Sequence, residues 1–238
     1  MLKVPLISIK NMTKEYWPNA INSLVKRKKP TIVFQNASLD ISNKTIIGIN
    51  GVNGSGKTTL LKLLASLYLP STGKILIGGY ATDQFNKQAK MQVGASFNSE
   101  RAFFRRMTGQ ENIDFFSTLN GISHNKDYVN NVEELLSLLG LESVYKERVE
   151  RYSAGMKEKL GYLLSLLAPK DILIYDDFAK NLDDKAFKKL WFFLKEKLQS
   201  QWCEAIIISS PKLSFLTTLT DKIIYIEKRK FREINRYD

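Results

Sequence analysis

Residues 51–58, Gly51-Val52-Asn53-Gly54-Ser55-Gly56-Lys57-Thr58, constrain this chain more than any other stretch, because they fit G-x-x-x-x-G-K-[ST]. Thr45 to Asn50, just before them, is rich in β-branched residues and reads as a strand buried on both faces. Thr58 to Tyr68, just after them, carries leucines at 60, 61, 64 and 67, the stripe of an amphipathic helix. Strand, glycine loop and helix in that order form half of a βαβ unit. The glycines let backbone N–H groups turn inward around phosphate oxygens, and the helix presents its positive end to the same place. Lys57 would then reach the outer phosphates and the Thr58 hydroxyl a Mg²⁺ ion. Asn53, Gly54, Ser55, Gly56, Lys57, Thr58 and Thr59 are the candidate nucleotide-binding residues, and ATP with Mg²⁺ the expected ligands. A glycine turn that matches by chance is the competing explanation, and the flanking strand and helix argue against it.

A second element completes this chemistry. Ile172-Leu-Ile-Tyr-Asp176-Asp177 is an apolar strand ending in two carboxylates. Behind a phosphate loop, Asp176 is placed to hold the hydration shell of Mg²⁺, and Asp177 to orient or deprotonate an attacking water.

Composition narrows the classes without choosing among them. At about 150 residues per domain, 238 residues make one large domain or two small ones. Hydrophobic content of 44% and charged content of 25% exclude disordered, collagen-like and low-complexity chains. The net charge of +12 favours an anionic partner, which nucleotide phosphates, nucleic acid or an acidic lipid surface would all satisfy. The single cysteine, Cys203, points to a reducing compartment. The start, MLKVPLISIK, lacks the features of a signal peptide. No stretch reaches the 18 or so apolar residues of a membrane span, so the chain is expected to be soluble and any membrane to belong to a partner.

Further strands are expected at Leu6–Ile9, Thr31–Ile41, Lys74–Ile77, Val93–Phe97, Ala205–Ile208 and Ile223–Ile226. Between the first two lies a basic stretch, Lys26 to Lys29, read as a solvated loop. The middle of the chain is helical instead. Thr108 and Glu111 form a capping box opening a helix through Leu119. Tyr128–Leu139 and Ser153–Leu167 follow, and Asp184–Leu198 lies between the later strands. The expectation is an α/β fold with a mixed sheet, an antiparallel β part and a helical insert. Its core covers approximately residues 1–97 and 163–238, and its insert approximately 98–162.

With these residues in order, the chain resembles the nucleotide-binding subunits of ABC transporters over nearly its whole length. Tyr152-Ser153-Ala154-Gly155-Met156 is similar to the family's signature, L-S-G-G-Q or Y-S-x-G-M, and lies 23 residues before Asp176 where a helix opens. Asn181-Leu182-Asp183 matches the D-loop, and Tyr16 the aromatic residue that stacks on adenine. The resemblance implies a P-loop NTPase of ABC type whose helical subdomain docks on a transmembrane permease. It also implies a second ATP-binding subunit, the P-loop of one and Ser153, Ala154 and Gly155 of the other enclosing each ATP. The expected location is the cytoplasmic face of the cell membrane, peripherally. The stretch from Phe97 to Gly109, with Glu100-Arg101-Ala-Phe103 and Arg106-Met-Thr108-Gly109, is similar to export subunits.

Three positions depart from the family pattern. The Q-loop glutamine, which meets Mg²⁺ and the permease, aligns with Asn98, with Ser99 or Glu100 as neighbouring choices. The catalytic glutamate is Asp177, one methylene shorter, and a misplacement of about 1 Å can cost on the order of 100-fold. The switch histidine is replaced by Pro211, which has neither an N–H nor an imidazole. The only histidine, His124, falls in a polar loop of the insert and is expected at the surface. The expectation is a site that binds MgATP and hydrolyses it slowly, beside a nearly intact signature. A heterodimer whose partner carries the competent site is favoured, with a slow homodimer as the alternative. A nucleotide-binding structural subunit is a second function class. A soluble ATPase of the ribosome or DNA is the third, disfavoured because such relatives usually carry two nucleotide domains or a long coiled coil. No nucleic-acid partner is expected.

Overall fold

The computed structural model describes residues 4–17, 29–82, 86–97, 103–122 and 126–235. The chain divides into two compact units, residues 1–92 with 207–238, and residues 93–206.

The first unit holds an antiparallel sheet built on β1 (Ile7–Tyr16), which pairs with β2 (Thr31–Ile41) on one side and β4 (Thr72–Ile77) on the other, with β5 (Tyr80–Ala81) at the edge of β4. Alternation decides which face is buried: Ile7, Ile9, Phe34, Ile41, Ile75 and Ile77 are almost wholly enclosed. The register of β1 against β2 shifts between Ile9 and Met12, where Asn11 takes a left-handed backbone and donates its N–H to Ser38 Oγ at 2.9 Å. Across the same unit β3 (Thr45–Asn50) is buried at all six positions and pairs in parallel with β9 (Lys222–Glu227). β10 (Lys230–Asn235) returns antiparallel to β9.

The phosphate-loop helix, α1, runs over Lys57–Leu64 and is shorter than its leucine stripe suggests. Ser66 takes φ 54°, and the N–H groups of Leu67 and Tyr68 both return to the Lys62 carbonyl at 2.9 and 3.1 Å. That wraps the last turn shut and leaves Leu67 exposed. The short helices α2 (Lys87–Met91) and α7 (Leu213–Leu219) complete the unit.

In the second unit β6 (Val93–Ser96) and β7 (Ile172–Tyr175) pair in parallel. Four helices surround them: α3 (Gly109–Leu119), α4 (Lys126–Leu139), α5 (Ala154–Ser165) and α6 (Asp184–Gln199). β8 (Ala205–Ser209) carries the chain from this unit into the first. The expected capping box is present in both directions: Thr108 Oγ1 accepts from the Glu111 N–H at 3.1 Å, and Glu111 Oε2 accepts from the Thr108 N–H at 2.7 Å. These bonds, from the Thr108 backbone first and its hydroxyl second, hold the Glu111 carboxyl below its ordinary range. Parallel and antiparallel strands with helices between them make this the mixed α/β fold that the sequence implies.

The loop before α3 is fastened by backbone bonds from Val149 and Glu150 to the Met107 and Arg105 carbonyls, at 3.0 and 2.9 Å, and by one buried side chain. Asn112 is fully buried, accepts from the Phe104 N–H at 2.8 Å and donates to the Phe104 and Thr108 carbonyls at 3.0 and 2.8 Å. Asn112→Ala removes all three bonds and leaves partly buried backbone groups unpaired, so unfolding in denaturant is expected to show a loss of about 2–4 kcal/mol. An unchanged midpoint would mean that the loop holds without it.

Candidate nucleotide-binding site

The loop between β3 and α1 has the backbone that its glycines allow. Gly51, Gly54 and Gly56 take φ of 147°, 81° and 107°. At Gly56 a Cβ would lie 2.6 Å from Val33 Cγ1 and 3.0 Å from Phe34 Cζ, so both space and dihedral exclude a side chain. Gly56 is also the N-cap of α1 and supplies no side-chain cap, which leaves the helix's first N–H groups turned toward the loop. Lys57 is buried, and its ammonium donates to the Gly51 and Val52 carbonyls at 2.7 and 3.3 Å. Ser55 Oγ is enclosed without a hydrogen-bond partner. Uncapped N–H groups, an inward cation and an unpartnered hydroxyl are the donors an oligophosphate needs, so the residues fit that ligand. Asn53 and Thr58 lie exposed along the same loop and helix start, and Thr59 is half-buried.

The aromatic candidate joins this group. Tyr16 ends β1 with its hydroxyl 3.5 Å from Thr59 Oγ1, one turn into α1. Its ring meets Tyr68 edge-on at 6.3 Å, and the Lys14 ammonium sits 5.0 Å from the Tyr16 centroid and 5.6 Å from that of Tyr68. Tyr16 is 39% exposed. The segment at Ser210 and Pro211 belongs to the same unit. Asn50, the last residue of β3, donates through Nδ2 to the Ser210 carbonyl at 2.9 Å, and the Ser210 N–H reaches the Ile49 carbonyl at 3.4 Å. Pro211 is the next residue, so it stands beside the start of the phosphate loop. Sequence reasoning had no signal for the Asn50 bond, because it joins residues far apart in the chain.

The second unit collects the other candidates. Ser153 is the N-cap of α5, and its Oγ accepts from the Met156 N–H at 3.2 Å. Ser153 and Ala154 are exposed. A Cβ on Gly155 would lie 2.8 Å from the Asn181 carbonyl, so the signature glycine abuts the loop carrying Asn181 and Asp183. The Asp176 N–H bonds the Ser96 carbonyl at 3.1 Å, extending the β6–β7 ladder to the first carboxylate. Asp177 takes a left-handed φ of 48°, and its Oδ2 pairs with Lys180 Nζ at 3.2 Å. The sequence pattern did not anticipate that ion pair. Asn98, with Ser99 and Glu100, lies outside the described residues, as does His124.

The ABC transporter family model matches residues 34–180, from β2 through Lys180. The chain belongs to the ABC transporter family. It is 30% identical over 200 residues to the ABC transporter ATP-binding protein NatA of Bacillus subtilis, covering 84% of this chain and 80% of that one. It is likewise 30% identical over 201 residues to the bacitracin transport ATP-binding protein BcrA of Bacillus licheniformis, covering 84% of this chain and 64% of that one. The fold superimposes with a TM-score of 0.83 on the ATP-binding cassette MJ0796, in a dimeric post-hydrolysis state bound to ADP and Pi. Identity there is 20%, over 97% of this chain and 98% of that one. The chain is thus an ATP-binding domain of an ABC transporter.

Lys57→Ala removes the one cation folded into the loop. Titration calorimetry well below the melting midpoint is expected to show ATP affinity falling by at least about 100-fold, since the charge-assisted donor to the phosphates is lost. Unaltered affinity would move the phosphate site elsewhere.

Proposed function

We propose that this chain is the ATP-binding subunit of an ABC exporter, coupling MgATP binding at a subunit interface to a separate transmembrane permease. The fit of the Gly51–Thr59 loop to an oligophosphate carries this reading. Tyr16 stacks on the adenine, the loop N–H groups and Lys57 hold the phosphates, and the Thr58 hydroxyl is offered to Mg²⁺. Among the described residues no group of three or more His, Cys, Asp or Glu side chains is placed to hold a metal. When bound, the ion neutralises charge on the phosphates.

The chain's own hydrolytic site is degenerate in this reading. Hydrolysis needs a carboxylate near the attacking water and a polar contact to the γ-phosphate. Asp177 is short, and its carboxylate is paired with Lys180. Pro211 follows a serine fixed by Asn50 and presents no donor. The signature keeps an ordered N-cap at Ser153 and a close-packed glycine at Gly155. It therefore completes the competent site of a different second subunit, and a heterodimer is the assembly proposed.

Among the described residues no helix is long and apolar enough to cross a membrane. Attachment in this reading is peripheral, on the cytoplasmic face, through the helical subdomain of residues 98–162. The support is a surface of aromatic and basic residues. Phe104 and Phe115 pack edge-on at 4.9 Å, Phe116 joins them, and Leu119 on the same helix is 68% exposed. Arg105 and Arg106 lie exposed beside them. Export is supported by the stretch from Phe97 to Gly109 and by the likeness to a bacitracin transport protein.

Two measurements test these points. Asp177→Glu with Pro211→His is expected to raise the ATPase rate of the purified chain by about tenfold or more, at about 1.4 kcal/mol per tenfold. A fast wild type that the substitutions leave unimproved would overturn the degenerate site. Arg105→Glu with Arg106→Glu is expected to release the chain from permease-containing membranes into the soluble fraction. Retention would place docking on another surface.

A further inference from the structure

Glu158 lies one turn into α5 from the signature and is only 5% exposed. Its carboxylate meets three neutral donors. Oε1 accepts from the Tyr162 hydroxyl at 2.7 Å, and Oε2 accepts from the Asn181 backbone N–H and from Asn181 Nδ2, both at 2.9 Å. The Tyr162 oxygen in turn accepts from the Ala179 N–H at 2.9 Å. One buried carboxylate thus holds two backbone positions of the turn that follows Asp177.

Within the turn the Lys180 N–H reaches the Asp177 carbonyl at 3.2 Å and the Leu182 N–H the Ala179 carbonyl at 3.4 Å. Asp177 and Ala179 take φ of 48° and 58°, a region that an alanine rarely enters. Such conformations persist where the surroundings over-determine them. Here the surroundings are Tyr162 at Ala179, Glu158 at Asn181, and the Asp183 side chain, which caps α6 by accepting from the Ala186 N–H at 2.9 Å. Tyr162 packs edge-on against both Tyr175 and Phe178, at 5.0 and 5.8 Å between centroids. Burial first, and the Glu158 carboxylate second, push its phenol well above the ordinary range, so it stays a neutral donor. Gly155 touches the Asn181 carbonyl from the other side.

We infer that Glu158 is a positioning residue that locks the turn from Asp177 to Asp183 to the signature helix, so that whatever seats on Ser153–Gly155 also sets where the Asp177 carboxylate points. The proposal rests on the reading of Asp177 as a hydrolytic residue and of Ser153–Gly155 as a nucleotide contact. It adds a link within one chain between them. A buried carboxylate held by neutral donors costs more to break than to keep, because the buried Tyr162 hydroxyl would be left without its acceptor.

The test uses the full chain with Glu158→Gln and, separately, Tyr162→Phe. Glutamine keeps the shape but turns one acceptor into a donor facing Tyr162 or Asn181. Amide hydrogen exchange is expected to speed up by about tenfold at Ala179 and Asn181 in Glu158→Gln, with residues 51–58 unchanged. In Tyr162→Phe the increase is expected at Ala179, while Asn181 stays protected. Steady-state ATPase of Glu158→Gln is expected to fall about tenfold in kcat with KM for ATP within about twofold of wild type. The same split is expected in the faster Asp177→Glu, Pro211→His background. Unchanged exchange at Ala179 and Asn181 would overturn the proposal. So would faster exchange with kcat intact, or exchange that rises equally at residues 51–58, which marks general loosening. If neither background turns over ATP, the hydrolytic reading of Asp177 fails, and exchange at Ala179 and Asn181 alone decides whether Glu158 holds the turn.

Discussion

The burial of β3 is the constraint on which the nucleotide loop depends. Every residue from Thr45 to Asn50 is enclosed, so the strand can neither slip in register nor turn a face to water. Its last side chain, Asn50, is spent on the Ser210 carbonyl, and the next residue begins the glycine loop. The loop therefore starts from a fixed point and ends on a helix whose leucines at 60, 61, 63 and 64 are buried. Between two anchored ends, the left-handed glycines have one way to run, and Lys57 folds its ammonium under the carbonyls of Gly51 and Val52. A phosphate site needs this fixity, since donors already aimed at a ligand lose little freedom when it binds.

The second unit solves its problem by polar contacts in the core. Asp177 and Ala179 stand in unfavourable backbone conformations, and the chain keeps them there with hydrogen bonds from a neighbouring helix rather than with glycine. Glycine would fit these dihedrals at less cost but would leave the turn free to sample others. The same economy appears at Asn112, whose three bonds hold the loop bearing Phe104 and the adjacent arginines. In both places one buried polar side chain fixes a stretch of exposed backbone, and the exposed residues are the ones proposed to meet ligand or partner.

Much of this was legible in the sequence because it is encoded locally. The strand, glycine loop and helix around Lys57, the capping box at Thr108–Glu111 and the N-cap at Ser153 each occupy a few consecutive residues. Backbone geometry at those points follows from residue type and spacing alone. Helix lengths were less legible. The leucine stripe points through Leu67, yet α1 stops at Leu64, because a left-handed Ser66 and the Lys62 carbonyl close its last turn. The short helices α2 and α7 went unread, since five to seven residues span no more than about two turns, and the hairpin strand β10, with the polar sequence KFREIN, went unread as well.

The sequence by itself determined the class of ligand, the order of the longer elements and the identity of the residues at Asp176, Asp177 and Pro211. It did so because glycine, lysine and aspartate at that spacing suit phosphate and magnesium and little else. Only the tertiary structure decided what those residues touch. Asn50 and Ser210 are 160 positions apart, and Glu158 and Asn181 are 23 apart. A carboxylate inside a helix looks like a solvated face until the chain returns with donors to enclose it. Local pattern cannot show such pairs, because their partners are chosen by packing, after the elements have formed.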